Sequence, residues 1–173
     1  MIVDVDKCCL TCYPCAVLGK GALEVEEITD DIRRLADKMI DIMLETNGVG
    51  LAGPQAGVGL RIFVVSVDTT RENAKVYINP EIETSGGLAA IEEGCLSLPG
   101  ISGKIKRYKK CTVTATDLEG RRFSEEGEGL LARVFQHEFD HLEGMLIKDR
   151  MGQVARIGAR KQLKKLQEEY GQD

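Results

Sequence analysis

The chain holds only two histidines, His137 and His141, and they stand four residues apart in a stretch whose apolar residues repeat at helical spacing. In residues 129–142, Leu130, Val134, His137 and His141 fall on one stripe, with Leu131, Phe135, Glu138 and Leu142 beside it. A helix this apolar belongs at the centre of a fold. Because positions i and i+4 face the same way, the two imidazoles can grip one metal ion while Glu138 sits beside it as a proton acceptor. The bland alternative is a buried helix with two core histidines, each satisfied where it lies.

Two histidines do not complete a catalytic site, since such a metal usually takes three protein ligands and keeps one position for water. In the pattern His-Glu-x-x-His-x-x-Gly-x-x-His, the sequence matches as far as Gly144 and then offers Ile147, so that class of protease lacks a ligand here. Thermolysin-like proteases place a Glu roughly twenty residues further on. This chain is basic and neutral there, around Lys161. Upstream, Glu92-Glu93-Gly94-Cys95-Leu96-Ser97-Leu98-Pro99-Gly100 carries a cysteine in a loop. A thiolate there would close a Cys-plus-two-His site suited to zinc or ferrous iron. On residue chemistry alone Cys95 competes with Cys111 and with Cys8, Cys9, Cys12 and Cys15, and its other reading is a small buried hydrophobe. The N-terminal four superficially resemble an iron–sulfur run, but the later Cys-Pro of such a run is absent, so they read as partly buried thiols.

At 173 residues the chain can bury one sizeable core, and a single catalytic domain over 1–173 is expected, with an atypical Cys-rich segment at 1–24. Thr29 caps a helix carrying Ile32, Leu35, Ala36, Met39, Ile42 and Met43, which stops near Asn47-Gly48. A Gly-rich loop at 48–59 leads to a β-rich run at 62–67, a strand at 75–82 cut by Pro80, and a hairpin from 110–117 into 121–125. A third helix over 153–170 carries Val154, Ile157, Leu163 and Leu166. This order lacks βαβ alternation and predicts an α+β fold, with small antiparallel sheets packed around a central metal-binding helix and a C-terminal helix. The net charge of -5 argues against DNA or another nucleic acid as partner of the whole surface. No apolar run reaches the length of about eighteen residues that a membrane span needs. With no signal or transit pattern at the start, the expected location is the cytoplasm, where thiols stay reduced.

Three segments together resemble a known family, the peptide deformylases: Gly48-Val49-Gly50-Leu51-Ala52-Gly53-Pro54-Gln55, Glu93-Gly94-Cys95-Leu96-Ser97-Leu98-Pro99 and Gln136-His137-Glu138-Phe139-Asp140-His141. The resemblance runs from about Glu26 to about Lys165. It implies removal of the N-formyl group from the N-terminal formylmethionine of nascent polypeptides, releasing formate. It implies Cys95, His137 and His141 as ligands of one divalent metal, with Fe2+ as the natural ion and Zn2+, Ni2+ or Co2+ as substitutes. Glu138 becomes the catalytic acid and base, while the Gln55 amide and the Leu96 backbone N–H face the formyl oxygen. Val49, Gly50, Glu93, Leu130, Arg133 and Val134 are implied to bind substrate, the peptide adding as a strand near Gly50.

Gly53 and Arg133 depart from the family pattern, as does the Cys-rich beginning, and residues before Glu24 align poorly. Arg133 stands one turn before His137, where an apolar residue near the methionine pocket is expected. Its stem is expected to line the pocket, its head to reach solvent or an acid, and its presence to modulate side-chain preference. The basic stretch of Arg150, Arg156, Arg160, Lys161, Lys164 and Lys165 has no acid between Met151 and Gln167, and Arg156, Arg160 and Lys164 share a helical face. That face suits a contact with ribosomal RNA or simple solvation. Competing functions are a zinc metallopeptidase cutting internal peptide bonds and a non-catalytic metal- or ribosome-binding module.

Overall fold

The computed structural model describes residues 3–171. After two short 3-10 turns, helix α1 (Asp30–Glu45) begins where the Thr29 hydroxyl accepts the Ile32 N–H. It ends as Asn47 turns to φ +54 and the Gly48 N–H closes on the Met43 carbonyl at 2.8 Å. Strands β1 (Gly50–Ala52), β2 (Ile62–Val65), β3 (Lys75–Gly94), β4 (Ser102–Thr116) and β5 (Arg122–Glu128) follow. Helices α2 (Gly129–Leu142), α3 (Ile147–Arg150) and α4 (Gln153–Tyr170) complete the chain.

The expected α+β class is what forms, but the strands build one antiparallel sheet instead of several small ones. Among the described residues its order is β1-β2-β3-β4-β5, with each strand paired to its sequence neighbours. Strand β3 runs on past residue 82, where the expected strand ended, and β4 begins at Ser102 instead of Lys110, because the two extensions pair with each other. The Asn79-Pro80 pair falls within a register shift between Ile78 and Glu81, and Gly86-Gly87 within another between Ser85 and Leu88. Both glycines have positive φ, which lets the strand bulge and bend where a residue with Cβ would be strained.

Strand β2 explains why the helices flank this sheet. Ile62 and Val64 join the cluster formed with Leu35, Met39 and Met43 of α1, whereas Phe63 and Val65 join the cluster with Phe135 and Leu142 of α2. All four are buried, so the sheet is covered on both faces at this point. Tyr77 packs tilted against Phe63 and edge-on to Phe135, with ring centroids 4.8 and 5.3 Å away. A third cluster lies beneath the β3–β4 connection, where Leu98, Ile101 and Ile105 pack on Leu146, Ile147 and Leu166.

Candidate active site

Helix α2 is held in register by its own motif. Gln136 accepts the Tyr108 N–H at 3.0 Å and donates to the Tyr108 carbonyl at 2.9 Å, pinning the helix to β4 one residue before His137. His141 and Glu138 are buried, and His137 is mostly covered. The two imidazole rings lie 4.8 Å apart and nearly perpendicular. Opposite them, the tight loop after β3 is fixed by Leu98 N–H to the Cys95 carbonyl at 3.0 Å and by the fully buried Leu98 side chain. This brings Cys95 Sγ to 3.4 Å from His141 Nε2.

One ligand atom from each of Cys95, His137 and His141 lies within 4.8 Å of the other two. The donor set of one thiol and two imidazoles fits a borderline-soft divalent metal with a position left for water. Among the described residues, Glu138 Oε2 is buried without a hydrogen-bond partner, as an acceptor awaiting a donor would be. Burial holds the Glu138 carboxyl up at about 7, the range a proton shuttle needs.

Glu93 orients the outer nitrogen of His137. Burial opposes its ionisation, but hydrogen bonds with His137 and Arg107 bring it down to about 2, so it is a carboxylate and can only accept. The His137 Nδ1, 3.1 Å from Glu93 Oε2, therefore carries the proton and leaves Nε2 for a metal. Burial works against protonation of His137, yet contacts with Cys95 and Glu93 raise it to about 10 in the metal-free chain. His141 goes the other way, pushed well below its usual value first by burial and then by the neighbouring His137.

A cleft of about 670 Å³ opens over these groups. Gln55, Leu96, Glu93, Val49, Gly50, Leu130, Arg133 and Val134 line it together with Cys95, His137 and Glu138, while His141 lies behind them. Gln55 is locked: its Oε1 accepts the Ala52 N–H at 2.9 Å, and its amide nitrogen faces Cys95 Sγ at 3.6 Å and Ser97 Oγ at 3.3 Å. Gly50 is required by contact, since a Cβ there would stand 2.5 Å from Glu138 Oε1. Leu130 is half exposed at the rim, whereas Val134 and Arg133 are buried in the wall.

Sequence reasoning missed the charges behind the site. Arg107 bonds Glu93 at 2.8 Å and Asp140 at 2.8 Å, and Asp140 also receives Arg150. Arg107 sits on the inward parity of β4 with Gly103, Ile105, Cys111 and Val113, so an inward-facing charge was the available signal. Asp140 lay inside the helical motif, three residues after His137.

A central helix offering two imidazoles and a buried carboxylate, with a loop thiol close enough to share one metal with them, defines the class of metal-dependent α+β hydrolases. A family model described as polypeptide deformylase matches residues 8–156. A peptide deformylase of Thermodesulfovibrio yellowstonii is 44% identical over 154 residues, covering 88% of this chain and 93% of that protein. Peptide deformylase 1 of Clostridium perfringens is 47% identical over 133 residues, covering 77% and 90%. The crystal structure of peptide deformylase from Plasmodium falciparum superposes with a TM-score of 0.89 at 37% identity, over 94% of this chain and 96% of that one. The chain belongs to the polypeptide deformylase family. The family match runs from Cys8 to Arg156, so it begins earlier than the resemblance read from the sequence, which started at about Glu26, and ends before Lys165.

Proposed function

We propose that this chain removes the N-formyl group from the N-terminal formylmethionine of newly made polypeptides, with Cys95, His137 and His141 holding one divalent metal. The observation that carries the reading is the convergence of those three ligand atoms beside the Glu138 carboxyl, whose Oε2 is buried without a hydrogen-bond partner. Family membership makes the reaction a metal-dependent hydrolysis. A divalent cation supplies Lewis acidity, polarising the formyl carbonyl and easing deprotonation of water.

Glu138 takes the proton from the attacking water and later gives it to the departing amine, so that formate and a free N-terminal amine leave. The Gln55 amide and the Leu96 N–H stabilise the oxygen on which charge develops, and Gln55 is prepared for this because its own bonds hold it before substrate arrives. Strand β1 is an edge of the sheet, which favours a substrate backbone added alongside Gly50 and Val49. The methionine side chain enters between Leu130, Val134 and the stem of Arg133. Fe2+ is the native ion in this reading, with Zn2+, Ni2+ and Co2+ as substitutes for the same donor set.

The chain acts as one catalytic unit in the cytoplasm, at sites where nascent chains emerge. Helix α4 supports contact with the ribosome through Arg160, Lys161 and Lys165, which are exposed and form no ion pair among the described residues. Arg156 is less free, because its guanidinium caps the carbonyls of Lys148 and Asp149. Reversing those three charges should abolish salt-sensitive pelleting with ribosomes, and pelleting that never depended on salt removes the contact from the proposal.

The decisive experiment is formate release from a formyl-Met peptide after anaerobic loading with Fe2+, with Glu138→Gln alongside. The variant should bind metal stoichiometrically and turn over about 10²–10⁴-fold more slowly. Equal inactivity of both metal-loaded proteins would reject the function.

A further inference from the structure

Arg133 is buried on α2 and lines the cleft, and its surroundings give it a second task. Its side chain is 10% exposed. One guanidinium nitrogen donates to Glu93 Oε1 and to the Ile105 carbonyl at 3.1 Å, and the other donates to the Ala89 carbonyl at 3.0 Å. A single residue of α2 is thus tied to β3, to β4 and to the carboxylate that holds His137. Glu93 divides its two oxygens between these partners. Oε1 receives Arg133 and Arg107, while Oε2 faces Arg107 and His137 Nδ1.

We propose that Arg133 is a positioning residue: through Glu93 it fixes the ring of His137, and by clamping the cleft wall to α2 it makes the fit of the substrate side chain felt at the metal ligand. The inference rests on the deformylase reading and deepens it. A buried carboxylate with one guanidinium on each side cannot rotate without breaking charge-assisted bonds, so the acceptor offered to His137 stays in one place. Loss of the direct partner of a ligating imidazole, here Glu93, typically lowers metal affinity about 10–100-fold. Arg133 acts one bond further out, beside an Arg107 that holds both Glu93 oxygens, so its share is smaller. The planar fork matters because three acceptors must be reached at once, which an ammonium at the end of a flexible stem does not do. Side-chain selectivity should therefore appear in kcat, where the position of the reacting groups is set, more than in KM.

The test compares wild type, Arg133→Met and Arg133→Lys in three measurements: zinc affinity by chelator competition, the visible spectrum of the Co2+-loaded protein, and kcat and KM on formyl-Met and formyl-norleucine peptides. Arg133→Met should bind zinc more weakly by a factor of several, up to about tenfold, the lower end of the range for a direct partner. Its Co2+ bands should shift, and its kcat should fall with KM within about twofold. Arg133→Lys should recover part of each. Wild-type zinc affinity and an unchanged Co2+ spectrum in folded Arg133→Met, with only KM altered, would reduce Arg133 to a piece of pocket wall and overturn the proposal. Where Arg133→Met does not fold, the comparison is read on Arg133→Lys, for which wild-type affinity and spectrum likewise overturn it. Zinc affinity and the Co2+ spectrum need no formylated substrate, so a wild-type protein that binds metal but releases no formate rejects the enzymatic reading separately.

Discussion

Glu138 is held by two constraints that act through different physics. Its burial raises the carboxyl to about 7, and Gly50 leaves its oxygen room that any Cβ would take. A carboxyl raised in this way is protonated below that value, so its base form accumulates as pH rises. A nearby cation favours the carboxylate, so the loaded enzyme should turn on at or somewhat below pH 7. A kcat/KM profile rising to a plateau there is the expected result, lost in Glu138→Gln. Gly50→Ala should push the carboxylate aside and lower kcat about 100-fold, since misplacing a reacting group by about an ångström has that effect. Metal content by elemental analysis should remain one ion per chain. The spacing of His137, Glu138 and His141 was legible because it is local. The guanidiniums of Arg107 and Arg133 were not, because nothing near them in the chain reveals which acid they will meet.

At the scale of elements, helix α4 shows how periodicity names a helix without naming its buried face. Its apolar residues Val154, Ile157, Leu163 and Leu166 all suggested packing, yet Leu166 is 1% exposed and Val154 is 86% exposed. Leu166→Ala should cost about 2–5 kcal/mol by urea denaturation, because it opens a cavity beneath Leu98 and the Cys95 loop. Val154→Ser should change stability by less than about 0.5 kcal/mol. The α2 boundaries and the turn that joins β4 to β5 followed from pattern, but the first half of β4, residues 102–109, did not. The middle of β3 did not, because Ser85-Gly86-Gly87 has the composition of a turn and becomes a bulge only when β4 supplies a partner.

For the whole molecule, folding and metal binding are linked. His137, raised to about 10, contributes stability that is full below its ordinary value of 6.5 and is lost as pH climbs through 10. Glu93, lowered to about 2, contributes stability present above 4.5 and lost as pH falls through 2. The metal-free chain should therefore have its highest denaturation midpoint between about pH 4.5 and 6.5. Metal competes with protons for the site, so loading should move that optimum toward neutrality. Free metal at 100 times its Kd should add about 2.7 kcal/mol, read as a rise in midpoint that a chelator reverses. By itself the sequence determined the helical face that carries two imidazoles and a carboxyl, because 3.6 residues per turn fixes their spacing wherever the helix lies. It also determined the α+β class, through the order of its periodic segments. Tertiary structure decided that one sheet forms, that Cys95 meets the histidines, and that Arg133 meets Glu93. Those pairs lie 40 or more residues apart, and only the register of β3 on β4 and their shared burial against α2 brings them into contact.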